Sequence, residues 1–277
     1  MSMKILKGIV PRSTRLRIRR WLERRRYERT LRAFVRREVE HVYCGHRLRV
    51  LLGDVEGAAW YDRDWPMMPE LALLARHRLQ PGALVFDIGA HQGVVAMMLA
   101  RLVEPAGTVI AVEPHHLNVE LLSRNLELNG IGNIIVRQSV GGAGSGRARM
   151  GHQLNDRVHV PAEPGGYDVA CVTIDELAAE YGPPNVVFLD VEGFEEQVLA
   201  GAATVRTAAR TDWFVEVHVG VGLEAAGGSA ATLLACFPEP EYEVFAASPD
   251  ARFVPMASVG DAVASRFMLV AIDKRPP

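Results

Sequence analysis

Cysteine is scarce in this chain, with three residues, Cys44, Cys171 and Cys236, among 277. None falls in a C-x-x-C pair, so no disulfide framework is encoded, and a reducing compartment is the expectation. Long apolar runs are missing as well. The most apolar stretches are broken by Asp87, His91, Glu113 or Asp190 well short of the ~20 residues a spanning helix needs. The first thirty residues hold no apolar core of a secretory signal. They are Arg-rich, as a transit peptide would be, but Glu23 and Glu28 oppose that reading. A cytoplasmic location is therefore expected. There is no internal repeat. What remains, 49% hydrophobic and 23% charged, is ordinary globular composition. The length fits one large domain, or a domain plus an appendage, with a sizeable core.

The formal charge of −2 conceals an asymmetry. Residues 1–50 carry 16 basic and 4 acidic side chains, a balance of +12, and the rest carry 15 and 29, a balance of −14. Residues 13–43 read as amphipathic helix: Tyr27, Leu31, Phe34, Val35 and Val42 form one apolar stripe, and Arg24, Arg25, Arg26, Arg29, Arg32, Arg36 and Arg37 cover the other faces. The expected organisation is a basic helical arm over 1–47 and a single globular domain over 48–277. The arm either docks on the domain by its stripe or meets an anionic surface, a membrane face or an acidic glycan. Nucleic acid is disfavoured, because the remaining chain is acidic and has no RNA-reading motif.

Beyond the arm the pattern becomes regular. A short strand is expected at 48–52 and a helix at 67–79, ended by Pro81-Gly82. Buried strands follow at 83–89 (ALVFDIG), 107–113 (GTVIAVE), 133–138, 185–190 (NVVFLD), 212–218 (DWFVEVH) and 266–272 (RFMLVAI). Helices are expected at 93–103, 116–129, 175–181, 193–200 and 228–236, and residues 147–174 suggest an inserted hairpin or edge strands. Strands alternating with helices mean a parallel, doubly wound α/β sheet.

In such sheets ligands bind beyond the carboxyl ends of the strands, so the strand ends carry the chemistry. The first reads Asp87-Ile88-Gly89-Ala90-His91-Gln92-Gly93. Gly89 permits a tight turn and Gly93 opens a helix. Glu113 closes the next strand 20 residues later, where a carboxylate can accept from two ribose hydroxyls. A dinucleotide fingerprint needs glycine where this chain has His91, so a nucleoside without a pyrophosphate, such as S-adenosylmethionine, fits better. The second strand end is Asp190-Val191-Glu192-Gly193-Phe194-Glu195. Asp190 and Glu192 can share a cleft, whereas Glu195 and Glu196 are explained by complementing a helix dipole. The third is Glu216-Val217-His218, whose outer residues lie on the same side of a strand. Asp190, Glu192, Glu216 and His218 are thus expected to converge, suited to taking a proton from an acceptor hydroxyl or, less favoured, to holding a hard cation such as Mg²⁺. Trp60, Tyr61 and Trp65 either stack on a sugar or pack the arm on the domain.

The combination FDIGAHQG, IAVEP, TIDEL, FLDVEGFEEQVLAG and FVEVH, over roughly residues 83–218, resembles the FkbM-type S-adenosylmethionine-dependent methyltransferases. The resemblance implies a class I methyltransferase fold, a mostly parallel seven-stranded sheet with its last strand antiparallel, for which residues 266–272 qualify. It implies O-methylation of a small molecule, sugar or lipid-linked acceptor. By position it places Asp87, Gly89, Gly93 and Glu113 on the cofactor motif, with Ala90, Pro114 and Ser139 beside them, and Asp190, Glu192 and Glu216 on the acidic motifs. Two positions depart from the family pattern, His91 for a usual Asn and Leu189 for a usual Lys or other polar residue. The rival readings are a methyltransferase of RNA or protein recruited by the basic arm, and a non-catalytic binding protein that keeps the pocket. Against the first, strand four reads L-D-V-E, without the N-P-P-[YF] type motif of amino-methylating enzymes.

Overall fold

A computed structural model of the chain describes residues 34–150, 167–248, 252–256 and 265–276, together with single helical positions at 14, 18, 21, 25, 29 and 33. Most of the expected arm lies outside the described residues. Where its end is described, the helical expectation is corrected. Residues 37–43 form strand β1 (Arg37–Tyr43), antiparallel to β2 (His46–Leu52). Cys44 and Gly45, both at positive φ (50° and 84°), make the two-residue turn that hairpins favour. The apolar pattern here is two-residue rather than helical: Leu48, Val50 and Leu52 are buried on one face of β2, and Val35, counted in the helical stripe, is 79% exposed. The hairpin belongs to the domain, because Asn125 and Asn129 accept hydrogen bonds from the Leu51 and Arg49 N–H groups (2.7 and 2.9 Å). The expected boundary at 47/48 therefore falls inside a single supersecondary unit.

Helix α1 (Val55–Tyr61) starts at Asp54, whose Oδ1 accepts from the Glu56 and Gly57 N–H groups, both at 2.8 Å. Helix α2 (Pro69–Leu74) is shorter than the 67–79 expected. The chain turns after Leu74 so that Leu79 is buried and the Arg78 guanidinium reaches the buried Asp212 carboxylate.

The units that follow are β3 (Leu84–Ile88), α3 (Val94–Leu102), β4 (Thr108–Val112), α4 (His116–Asn129) and β5 (Ile134–Arg137). Next come β6 (Val140–Gly141), β7 (Gly146–Met150), β8 (Tyr167–Val172), α5 (Ile174–Tyr181) and β9 (Val186–Leu189). The described chain ends through α6 (Glu195–Ala200), α7 (Ala203–Ala208), β10 (Asp212–Val217), α8 (Ala230–Leu234), β11 (Tyr242–Ala247), β12 (Val254–Pro255) and β13 (Phe267–Asp273).

The main sheet runs β12-β11-β13-β10-β9-β3-β4-β5. Strands β5, β4, β3, β9 and β10 run parallel to one another, and β13 is antiparallel to both β10 and β11. This is the expected class I methyltransferase arrangement with one correction: the two-residue β12 adds an eighth strand at the edge. Strand β11 was not read from the sequence. The inserted hairpin expected over 147–174 is present in its described parts as antiparallel β7 and β8, and residues 151–166 lie outside the described residues.

Both faces of the sheet are covered, which is why its central strands read as unbroken apolar runs. Val85 of β3 packs in the core that includes Leu48, Val50 and Leu52 of the hairpin, whereas Phe86 and Ile88 face the opposite core with Trp213 and Val215. The order reverses between β3 and β9, so the crevice for a ligand opens at the ends of those two strands. Among the described residues, no helix is long and apolar enough to cross a membrane.

Candidate active site

The loop after β3 is fixed by its backbone. The Gly89 and Ala90 N–H groups both donate to the Val112 carbonyl (2.9 and 3.1 Å), tying the loop to the end of β4. Gly89 has φ 95°, and a Cβ there would lie 1.8 Å from the Asp190 carbonyl oxygen, so only glycine lets the ends of β3 and β9 approach this closely. Gly93 also has positive φ and packs on Leu122; it shapes the turn and does not line the cavity. His91 sits at φ 49°, in the left-handed region where Asn and His are enriched. The departure from the family's Asn is therefore tolerated by the backbone.

Glu113 is buried at the end of β4. Its Oε2 accepts from the His91 N–H (2.9 Å), and its Oε1 accepts from the His115 N–H (2.9 Å) and the Asn118 amide (3.1 Å). Burial pushes its pKa up to about 7 against these three hydrogen bonds. Asp87 is likewise pushed up to about 7, by burial first and then by the Glu113 charge. Asp87 Oδ2 and Ser139 Oγ are buried without a hydrogen-bond partner among the described residues. Asp87, Gly89, Ala90, Glu113, Pro114 and Ser139 all line one cavity of about 680 Å³, within the range of small-molecule sites. A cavity of that size with orphaned buried polar atoms on its wall fits S-adenosylmethionine.

The same cavity is walled by Asp190, Glu192 and Glu216. Two successive left-handed residues, Glu192 (φ 53°) and Gly193 (φ 100°), form the turn from β9 into α6. A Cβ on Gly193 would come within 2.5 Å of the Gly222 backbone. The four expected residues do converge: His218 Nε2 lies 3.8 Å from Asp190 Oδ1 and 3.5 Å from Glu192 Oε2. They are not equivalent, however. Asp190 lines the cavity with 40% of its side-chain surface accessible, whereas His218 is fully buried behind the carboxylates and does not line it.

Two members of the cluster were not legible in the sequence. Glu195, read there as a dipole partner, is completely buried; its Oε1 accepts from the Gly193 N–H and sits 2.7 Å from His218 Nδ1. A carboxylate accepts from Nδ1–H, which directs Nε2 toward Asp190 and Glu192. Arg266 donates to the buried Glu216 and also lines the cavity. Its only sequence signal was its place before β13, whose Phe267 pairs with Val217.

The electrostatics follow from this packing. Removal from bulk water pushes Asp190 well above the ordinary carboxylate range, and the Glu216 and Glu192 charges add to the shift. Burial alone would push His218 down, but the Glu195 hydrogen bond and the charges of Glu195, Glu192 and Glu216 outweigh it and hold the imidazole above 6.5. Asp190, Glu216 and His218 offer ligand atoms within 4.8 Å of one another, the spacing of a cation site. The Arg266 guanidinium already supplies a positive charge to Glu216 there.

Opposite the cluster the wall is aromatic. Tyr61 is buried and its hydroxyl lies 2.9 Å from His91 Nδ1. Trp60, 37% exposed, meets the His91 ring edge-on at 5.2 Å. Trp65 packs edge-on against Tyr43 of the hairpin at 5.7 Å. All three line the cavity, and Trp65 and the Tyr61 carbonyl also meet Tyr43 of the hairpin.

Residues 87–222 match the family model of the methyltransferase FkbM domain. Among solved structures, the chain is similar to methyltransferase FkbM from Methylobacillus flagellatus KT, 17% identical over 68% of this chain and 43% of that one (TM-score 0.46). It is also similar to SMU.1697c from Streptococcus mutans in complex with SAH, 10% identical over 73% and 94% of the two chains (TM-score 0.46). A third is an rRNA methylase from Streptococcus thermophilus, 11% identical over 74% and 94% (TM-score 0.46). The chain thus spans less than half the length of the Methylobacillus protein. No curated protein matches it. With the cofactor motif and the acidic motifs both on the cavity wall, the chain carries an S-adenosylmethionine-dependent FkbM methyltransferase domain over residues 87–222.

Proposed function

We propose that the protein is an O-methyltransferase acting on a hydroxyl of a small-molecule, sugar or lipid-linked acceptor. The observation that carries this reading is Asp190, a carboxylate of raised pKa on the wall of the same cavity as Asp87 and Glu113. Bound S-adenosylmethionine supplies an electrophilic methyl group with a neutral leaving group, so the chain has only to hold the acceptor and manage its proton. Asp190 accepts the hydroxyl proton; its raised pKa makes it a stronger base than an ordinary carboxylate. His218, fixed by Glu195, faces Asp190 and Glu192 and compensates their charge. Arg266 does the same for Glu216. An amine acceptor, already neutral when it attacks, has less use for such a base. Trp60 and Trp65 offer flat apolar faces suited to a sugar ring. Mass spectrometry of saccharides and lipid-linked saccharides incubated with enzyme and S-adenosylmethionine is expected to show methyl ether products. Methylation confined to RNA or to protein nitrogen would contradict this reading.

A second reading concerns the arm. Ile18 (43% exposed) and Trp21 (51% exposed) are helical, and the Arg25 guanidinium lies over the Trp21 ring at 4.4 Å. Exposed Trp and Ile among arginines, in a segment of strong positive charge, suit the interface of an anionic bilayer. Full-length protein is expected to sediment with phosphatidylserine vesicles at low salt, and a chain lacking residues 1–33 is not. Absence of vesicle binding by the full-length protein at low salt, where screening is weakest, rejects this role.

A further inference from the structure

The cofactor motif accounts for one half of the cavity. Asp87, Glu113 and Ser139 stand on or just after β3, β4 and β5, whereas Phe188, Glu216 and Met268 stand on β9, β10 and β13. Strands β4 and β10 are three spacings apart in the sheet, roughly 14 Å at ~4.8 Å per spacing, so the second group walls a separate lobe. Part of that lobe is apolar: Phe188 and Phe214 stack with ring centroids 4.0 Å apart, and Met268 lies beyond them. The loop between α1 and α2 adds Arg63, Asp64, Trp65, Pro66, Met67 and Met68 to the wall.

This loop takes its shape from the hairpin. The Cys44 N–H donates to the Trp65 carbonyl (3.0 Å), and the Trp65 N–H donates to the Val42 carbonyl (2.9 Å). The Val42 N–H donates to Asp64 Oδ1 (2.9 Å). The Cys44 thiol donates to the Pro66 carbonyl (3.3 Å), and its sulfur accepts from the Met68 N–H (3.4 Å). The two His41 ring nitrogens each lie 3.1 Å from a carboxylate oxygen, one of Asp62 and one of Asp64. The Trp65 ring is fixed as well: its Nε1–H donates to the Trp60 carbonyl (3.0 Å), and the Tyr43 and Tyr61 rings pack on it at 5.7 Å. The hairpin and the loop both lie outside the residues that match the family model.

The facing rim carries Asp190, Glu192 and Glu216. Ionised carboxylates only accept hydrogen bonds, so an acceptor molecule must meet them with hydroxyl groups. Arg266 already donates to Glu216, and Arg63 is exposed beside Asp64, so the described wall keeps no buried cation for an anionic group. We propose that the hairpin-templated loop 62–68 selects the acceptor, and that it selects an uncharged sugar ring, hydroxyl edge toward the three carboxylates and C–H face on Trp65 and Met67. This rests on the O-methyltransferase reading of the cavity. A flat arene with one hydroxyl would leave most of the carboxylate oxygens facing carbon. A uronate or a sugar phosphate would bring a further anion to an anionic rim, and like charges at close range are rejected. His41 and Cys44 are positioning residues, acting through the loop.

Methyl transfer by the full-length enzyme is measured on methyl hexosides and 6-deoxyhexosides, on the matching methyl uronates, and on catechol. The neutral glycosides are expected to be methylated, with kcat/KM at least about tenfold above the uronates. On an accepted glycoside, Trp65→Ala is expected to raise KM by about tenfold with kcat changed less, as for lost apolar contact to the acceptor. His41→Ala shifts KM in the same direction by less, and calorimetry with S-adenosylhomocysteine finds both variants like wild type. Should Trp65→Ala fail to fold, Met67→Ala makes the same test at an exposed side chain. Uronates accepted as well as hexosides, catechol methylated in place of every glycoside, or an unchanged KM in the folded loop variants each overturns the inference and leaves the O-methyltransferase reading standing. Absence of product from every oxygen acceptor in the panel removes that reading and the inference with it.

Discussion

Replacing Asp190 with asparagine is expected to lower kcat by about 10²–10⁴-fold, the usual contribution of a positioned general base, while S-adenosylhomocysteine affinity stays close to wild type. The substitution keeps the shape of the side chain and removes only its ability to take a proton. Of the acidic cluster, Asp190 is the member that combines an accessible position on the cavity wall with a strongly raised pKa. The sign of the pH dependence follows. The base works ionised, so kcat rises with pH through the Asp190 pKa, and that limb lies well above the ordinary carboxylate range. The charged groups facing it are Glu216, Glu192, His218 and Arg266. Glu216→Gln removes one repelling carboxylate and frees the Arg266 guanidinium, and both changes favour ionised Asp190. The limb is therefore expected to move to lower pH in that variant. A rate profile for Asp190→Asn that matches wild type, measured with an identified acceptor, would remove Asp190 from the chemistry.

Replacing Glu113 with alanine is expected to weaken S-adenosylhomocysteine by about 1.5–3 kcal/mol, roughly 10- to 150-fold, the range for hydrogen bonds to a charged group. Two hydroxyls of a ribose can add donors to a carboxylate that already accepts from His91, His115 and Asn118. The loss has a second source, since those three protein donors hold the loop in place. Glu113→Gln separates the two sources. It keeps one acceptor oxygen and the volume, so a loss smaller than in the alanine variant assigns the remainder to the loop. Calorimetry reads the affinity, and circular dichroism confirms that each variant is folded. Unchanged affinity in a folded Glu113→Ala protein would move the ribose elsewhere.

Much of the site could be read from the sequence because its chemistry sits where apolar strands stop. Glu113 and Asp190 directly follow buried strands and Asp87 and Glu216 lie one residue before the ends of theirs, and the sheet order brings those ends together. What escaped the reading depends on information that is not local. Glu195 occupies a helix first turn, where a carboxylate is unremarkable until its burial against His218 is seen. Arg266 is 50 residues from its partner Glu216 and reaches it through antiparallel pairing of β10 and β13. That His218 lies behind the carboxylates is a matter of depth, which strand alternation does not specify. The second strand of the hairpin was read at 48–52, but the first was lost because REVEHVY has few apolar residues and follows an Arg-rich stretch, so helical spacing was carried through it up to the turn. Its true period shows in the following strand, where Leu48, Val50 and Leu52 alternate with exposed or half-buried residues.

The central claim is that a single cavity holds the cofactor by Asp87 and Glu113 and presents the acceptor to Asp190. A crystal structure of the protein with S-adenosylhomocysteine tests it most directly. The account predicts the ribose hydroxyls on the Glu113 carboxylate and the sulfur facing the Asp190 side of the cavity, with room between them for an acceptor. A nucleoside bound outside this cavity, or a sulfur turned away from Asp190 with the acidic cluster walled off, would contradict it.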